Sequence, residues 1–148
     1  MIPEDMAACN TVFLALVMWR EARGEGEACI LSVGFSIMNR VLNPKWWGDS
    51  VMSVVTKKWQ YSSMTDPHDQ QLTTWPSDND PWWAACIVAA KNVLCGYAPN
   101  PVLGADSYYD VSIPPPAWAE QSKFVAQIGR IRFYDLDGDH PQNEGKTA

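Results

Sequence analysis

The apolar positions of the chain fall into three helical blocks, followed by a shorter stretch of strand-like sequence broken by turns. The first block covers about residues 3–23, where Met6, Asn10, Phe13, Leu14 and Val17 follow roughly helical spacing. Pro3 suits a first helical position, Glu4 and Asp5 suit the positive end of the helix dipole, and Gly24 is a terminator. The second block, about residues 25–42, carries a broad apolar surface of Cys29, Ile30, Val33, Gly34, Ile37, Met38 and Val41, and it ends at Asn43-Pro44. Glu25 and Glu27 fall in its first turn, a favourable place for negative charge. Gly34 would be costly in an exposed helix, so it predicts close packing against another helix. The third block has the clearest ends: Asp80 as cap, Pro81 as first helical residue, and Gly96 after Cys95. Its body, Trp82 to Leu94, is apolar nearly all round, which predicts a central, buried helix.

Between the second and third blocks, Lys45-Trp46-Trp47-Gly48 reads as a loop, and Asp49 or Ser50 can cap a short helix over about 50–57. Trp59-Gln60-Tyr61-Ser62-Ser63 is aromatic and polar together. Residues 64–80 are loop-like and long for a structureless connection, so they are expected to line a cleft or to move. After Gly96 come a Pro-containing loop, a short strand over 105–110 and the stiff connector Pro114-Pro115-Pro116. Two strand-like stretches, 123–128 and 130–135, would pair as a hairpin about Gly129. Asp135-Leu136-Asp137-Gly138-Asp139 resembles a calcium loop only loosely, because the later glutamate is missing, and residues 140–148 read as a loose tail. The pattern predicts one α+β domain over 1–148, mainly α-helical, with a small antiparallel β-sheet near the C-terminal end.

Composition narrows the function. Eight tryptophans and five tyrosines are many for 148 residues, and a surplus beyond the core would suit a cleft that stacks against sugar rings. The formal charge of −6 argues against nucleic acid, which is gripped by Lys and Arg, and provides no long-range attraction to anionic membranes or anionic wall polymer. The run Thr11–Trp19 is too short to span a bilayer. The acidic start Met1-Ile2-Pro3-Glu4-Asp5 is unlike the basic start of a signal peptide, which predicts a protein made in the cytoplasm. A monomer is the expected state. Cys9, Cys29, Cys86 and Cys95 have no metal-type spacing and read as buried free thiols of a reducing compartment, although Cys9 and Cys29 fall on consecutive helices that could bring them together.

No Gly-rich phosphate loop is present, and His68 and His140 sit in polar stretches without a motif. Carboxylate acid–base chemistry remains. Trp19-Arg20-Glu21-Ala22-Arg23-Gly24-Glu25 closes the first apolar block and sets two carboxylates beside a glycine. Glu21 falls in the last helical turn, where the negative end of the dipole and burial both oppose ionisation, as a general acid near neutral pH requires. The competing reading of Glu21 is a surface salt bridge to Arg20 or Arg23. The competing reading of Glu25 is structural, starting the next helix and capping its free amides.

At these residues the sequence resembles the spore-cortex-lytic (SleB-type) cell wall hydrolases. Their Glu-Ala-Arg-Gly-Glu segment corresponds to Glu21-Ala22-Arg23-Gly24-Glu25, and the Asn-Arg-Val that follows corresponds to Asn39-Arg40-Val41. Gln60-Tyr61-Ser62 resembles their Gln-Phe-Ser. Gly96, Pro101, Gly104-Ala105 and Tyr108-Tyr109 resemble a Gly…Pro…Gly-Ala…Tyr-Tyr pattern, and Ile128-Gly129 to Phe133-Tyr134 resembles the terminal segment. The resemblance covers about residues 15–134. It implies a lysozyme-like, lytic-transglycosylase-type fold acting on peptidoglycan glycan strands between N-acetylmuramic acid and N-acetylglucosamine, with no cofactor and no metal. Glu21 would be the catalytic acid, and Glu25, Gln60, Ser62, Tyr108 and Tyr109 would meet the substrate, only one of the two tyrosines facing the cleft because neighbours on a strand point opposite ways. The product would be 1,6-anhydro-muramic acid. Two other readings stay open: a hydrolytic muramidase using Asp66, Asp106 or Asp110 as base, and a non-catalytic glycan-binding protein. The architecture also resembles a bacteriophage endolysin that a separate holin-like protein releases from the host cytoplasm to the wall.

Overall fold

In the computed structural model, which describes residues 4–137, the first apolar block folds as α1 (Glu4–Ala22), with Glu4 and Asp5 in its first turn. Its burial is lengthwise and follows no stripe. Every residue from Leu14 to Arg20 is buried, whereas Met6 at the other end is 48% exposed. A half-helix buried on all sides must be surrounded. It is, by α2 (Glu27–Leu42), α3 (Val51–Val55), α4 (Ser62–Thr65) and α5 (Pro81–Cys95).

The second helix starts two residues later than its pattern predicts. The backbone N–H of Glu25 donates to the carbonyl of Ala22, closing a turn after α1, and Gly26 stands at the N-cap with φ 91°. Glu25 therefore lies in the corner between the helices and caps nothing on α2. The close packing expected at Gly34 is present: a Cβ there would stand 2.9 Å from Met18 Cε and 3.2 Å from Val93 Cγ2, so α1, α2 and α5 meet at this glycine. Ser50 caps α3 in a reciprocal capping box with Ser53.

The ends of α5 are those the sequence predicts. Asp80 Oδ1 accepts from the N–H groups of Trp82 and Trp83, Pro81 opens the helix, and Gly96 closes it. Its burial is not. Only Cys86, Ala90 and Val93 are buried, Val88 is 59% exposed, and Ala84 and Lys91 face solvent. The central helix is α1, and α5 lies outside it. Large apolar side chains, Trp82 and Val88, which a sequence pattern counts as core, stay on its outer face. A groove of about 420 Å³ runs between α2 and α5, lined by Ile30, Leu31, Ala85, Val88 and Ala89 among others.

Residues 64–80 are built, with a 3-10 turn at Gln70–Thr73, and side chains of α1 hold them down. Downstream, β1 (Ser107–Asp110), β2 (Phe124–Ile128) and β3 (Ile131–Tyr134) form one antiparallel sheet in the order β1-β3-β2. The β2–β3 hairpin turns at Gly129, with φ 60°, as expected. Together the described residues make a mixed α+β fold, mainly helical, with its small sheet near the C-terminal end.

In the register of β1 and β3, Tyr108 faces Phe133 and Tyr109 faces Arg132. One face of the sheet joins the main core through Tyr108 and Phe133. The other holds a second cluster of Tyr109, Trp118, Tyr134 and Leu136. All four cysteines are free. Cys29 and Cys86 are buried, and burial pushes both thiols up to about 12. Cys9 and Cys95 are exposed, contrary to expectation, because one lies on the unsurrounded half of α1 and the other is the last residue of α5. Gly138, Asp139, His140 and the tail lie outside the described residues.

Candidate active site

The site forms where the surrounded half of α1 ends. Arg20 and Arg23 both turn toward the 64–80 segment. Arg20 Nη1 donates to the carbonyl of Ser63 at 3.0 Å, Nη2 to that of Leu72 at 3.0 Å, and Nε to that of Thr74 at 3.2 Å, while the guanidinium lies 4.6 Å from the ring centre of Trp75. Arg23 Nη1 donates to Gln71 Oε1 at 2.8 Å, and its guanidinium covers the Trp19 ring. Among the described residues, neither arginine forms a salt bridge to Glu21.

The partner of Glu21 is Tyr108. The phenol Oη donates to Glu21 Oε1 at 3.1 Å, joining the end of α1 to the middle of β1 across the core. Glu21 is half-buried, and its desolvation is the largest cause of a carboxyl raised from its ordinary value to about 7. The Tyr108 hydrogen bond opposes the rise, Asp69 and Asp110 add to it, and Arg20 opposes it weakly. Burial, followed by the neighbouring Glu21, lifts the Tyr108 phenol well above its ordinary range, so the proton of this pair stays on the phenol and the carboxylate accepts. The Tyr108 ring is held by Phe133 at 5.6 Å and Tyr61 at 6.2 Å between centroids.

The remaining residues expected at the site lie at different depths. Tyr109 is on the other face of the sheet, stacked on Tyr134 and edge-on to Trp118, so Tyr108 alone of the pair meets Glu21. Gln60 is fully buried, its Oε1 accepting from Arg40 Nη1 at 3.2 Å. Ser62 Oγ donates to Asp69 Oδ2 at 2.6 Å, which ties it to a carboxylate acting on Glu21. Glu25 Oε1 accepts from the backbone N–H of Arg130 at 2.8 Å. The turn passes so close that a Cβ on Gly129 would stand 2.9 Å from that oxygen. Glu25 thus clips the β2–β3 hairpin to the α1–α2 corner.

Of the carboxylates considered as bases, Asp106 is buried and accepts from Ser107 Oγ and from the N–H of Leu136, and Asp66 caps the N–H of His68. Asp110 accepts from the N–H of Ser112 and pairs with Arg130 at 3.6 Å, yet still acts on Glu21. Asp69 was not singled out by sequence, and a lone aspartate in a polar loop carries no signal that could have found it. The α2–α5 groove does not include Glu21.

The arrangement therefore holds a carboxyl that is half protonated near neutral pH, oriented by a phenol and flanked by two carboxylates. Such a group can deliver and retrieve a proton. No significant match was found among curated proteins or solved structures. A family model described as Cell Wall Hydrolase matches residues 24–134, a segment that begins just after Glu21 and contains Glu25, Gln60, Ser62, Tyr108 and Tyr109. That segment is most of the chain, and the protein belongs to the cell wall hydrolase family.

Proposed function

We propose that the protein is a peptidoglycan lytic transglycosylase of lysozyme-like fold, with Glu21 as its single acid and base. The family supports a peptidoglycan-acting enzyme. The observation that carries the finer reading is the hydrogen bond from Tyr108 to a Glu21 carboxyl raised to about 7. Protonated Glu21 donates to the oxygen between N-acetylmuramic acid and N-acetylglucosamine, and the C1–O bond breaks. The carboxylate then takes the proton of the muramic acid C6 hydroxyl as that oxygen bonds to C1. The proton count closes on one carboxyl, and the product is 1,6-anhydro-muramic acid. Tyr108 keeps the carboxylate aimed between the two steps.

The competing hydrolytic reading draws on Asp69 and Asp110, both near enough to raise Glu21, since either could activate water. Mass spectrometry of digested peptidoglycan separates the two. The expected product ends in anhydro-muramic acid, and reducing-end muramic acid would overturn the transglycosylase. In a wall-clearing assay, Glu21→Gln is expected to lose activity by at least about a hundredfold while remaining folded. Clearing at the original rate would remove Glu21 from the mechanism, whereas a parent protein that binds the wall without clearing it would return the glycan-binding reading. In the same proposal the enzyme reaches the wall through a holin-like partner. Expression in a bacterial host with and without such a protein tests this, and equal lysis in both would refute it.

A further inference from the structure

Asn39 and Arg40 sit side by side near the end of α2, and neither touches Glu21. Asn39 Nδ2 donates to the carbonyls of Val102 at 3.0 Å and Ala105 at 2.8 Å, and its Oδ1 accepts from Asn100 Nδ2 at 2.8 Å. Arg40 is fully buried. Its Nε donates to the carbonyl of Asp106 at 2.6 Å and its Nη1 to Gln60 Oε1 at 3.2 Å. Aromatic rings close around the guanidinium, with centroids at 4.9 Å for Trp47, 5.2 Å for Tyr61 and 5.7 Å for Trp46. Arg40 Nη2 has no hydrogen-bond partner among the described residues. A buried guanidinium with a donor unmet is a poor way to gain stability, because a packed apolar side chain would serve as well or better. Its worth lies in what it holds.

The two residues hold both walls of the Glu21 site. Ala105 and Asp106 lead straight into β1, and Tyr108 stands two residues further on. Gln60 and Tyr61 form the opposing wall, with the Tyr61 ring against the Tyr108 ring. That wall is strained: Trp59 and Tyr61 take φ of 71° and 48°, the left-handed region that side-chain-bearing residues avoid. The Gln60 side chain between them is anchored by Arg40, which fixes a turn that would otherwise relax. Asn39 grips only the β1 side, and Arg40 grips both.

We propose that Asn39 and Arg40 are positioning residues, locking the lead-in to β1 and the strained 59–61 turn so that Tyr108 stays within hydrogen-bonding reach of Glu21. The proposal rests on Glu21 being the acid. It gives the buried face of the Asn39-Arg40-Val41 segment a task in the reaction, exerted through Tyr108.

The test is a double-mutant cycle on the full chain with peptidoglycan as substrate. Asn39→Ala is the first variant, because it removes a half-buried neutral contact and leaves no bare charge. It should lower kcat on the order of tenfold, with KM within about twofold. The groups around Glu21 are Tyr108 and Asp110 from β1, Asp69 from the loop and Arg20 from α1. Tyr108 and Asp110 share β1 and act on Glu21 in opposite directions, but the Tyr108 hydrogen bond is the stronger influence, so the alkaline limb of the pH profile should move upward, as in Tyr108→Phe. In a Tyr108→Phe background, Asn39→Ala should change kcat by less than about twofold. Arg40→Lys, which keeps the charge but loses the bidentate grip, takes the same readouts if Asn39→Ala does not fold. An equal fractional loss in both backgrounds, or an alkaline limb that stays in place while only the Tm falls, would overturn the proposal. Glu21→Gln with undiminished turnover would instead overturn the functional reading beneath it.

Discussion

At the scale of single residues the molecule turns on one carboxyl in an unfavourable place. Folding moves the Glu21 carboxyl from 4.5 to about 7, which disfavours the folded state wherever the unfolded chain would be ionised. The stability associated with protonated Glu21 is complete below pH 4.5 and is lost as pH rises through 7, a loss of at most about 3 kcal/mol at 1.36 kcal/mol per unit. Glu21→Gln should therefore unfold at higher denaturant than the parent at pH 8 and at the same denaturant at pH 4. Equal midpoints at both pH values would mean that the carboxyl is not perturbed. Tyr108→Phe has the opposite signature. The phenol holds the carboxyl down, so its loss should move the falling alkaline limb of kcat/KM to higher pH while kcat drops on the order of tenfold. A limb that moves down, or not at all, would dissociate the phenol from the acid. Glu21 could be singled out in the sequence because an ionisable residue closing an apolar run is conspicuous. Tyr108 could be narrowed only to a pair, since strand alternation requires one of two neighbours to face inward without saying which. Gln60 reads as a polar residue for the cleft and is instead buried beneath Arg40, a pairing made by residues from different elements that no local spacing reveals.

At the scale of elements, the parts that were legible are those with local chemistry. Asp80-Pro81 and Gly96 bracket α5, Ser50 starts α3, and Gly129 turns the hairpin, each through a backbone requirement met within a few residues. The illegible parts depend on what packs where. An apolar α5 lies outside, with Trp82 and Val88 exposed, because the Leu14–Arg20 half of α1 takes the centre. The 64–80 segment reads as loose because its anchors lie far away, on α1. Arg20 donates to the carbonyls of Leu72 and Thr74 within it and of Ser63 just before it, so Arg20→Met leaves those acceptors without a partner and should cost about 2–4 kcal/mol. Limited proteolysis gives the sharper reading: the variant should be cut within 64–80 under native conditions that spare the parent. If the cuts fall instead near the termini, the tether is not what orders the segment. Glu25 makes the same point from the other end, as a side chain whose position suggests a helix start and whose carboxylate holds the β2–β3 turn.

At the scale of the whole molecule, charge decides how enzyme and wall meet. With 17 acidic against 11 basic residues, the chain carries −6 toward a polymer that is itself anionic. Encounter is opposed at long range, and attachment has to come from short-range contacts. Exposed aromatics are available for this, Trp75 at 67% and also Trp59 and Trp82, of which Trp75 is held rigid on the guanidinium of Arg20 next to the acid. Stacking of this kind is insensitive to salt, whereas repulsion is not. Raising ionic strength from about 0.01 M to about 0.15 M shortens the screening length from about 30 Å to about 8 Å. Over that range the initial rate of wall clearing at fixed pH should rise severalfold, and the gain should lie in KM, because screening alters approach far more than it alters the short, part-buried Glu21–Tyr108 hydrogen bond. Wall enzymes that bind through cationic surfaces behave oppositely. If clearing slows with added salt, a local basic surface governs binding in spite of the net charge, and Trp75→Ala should then leave KM unchanged. If clearing quickens, the same substitution should raise KM at every salt concentration while the alkaline limb set by Glu21 stays in place.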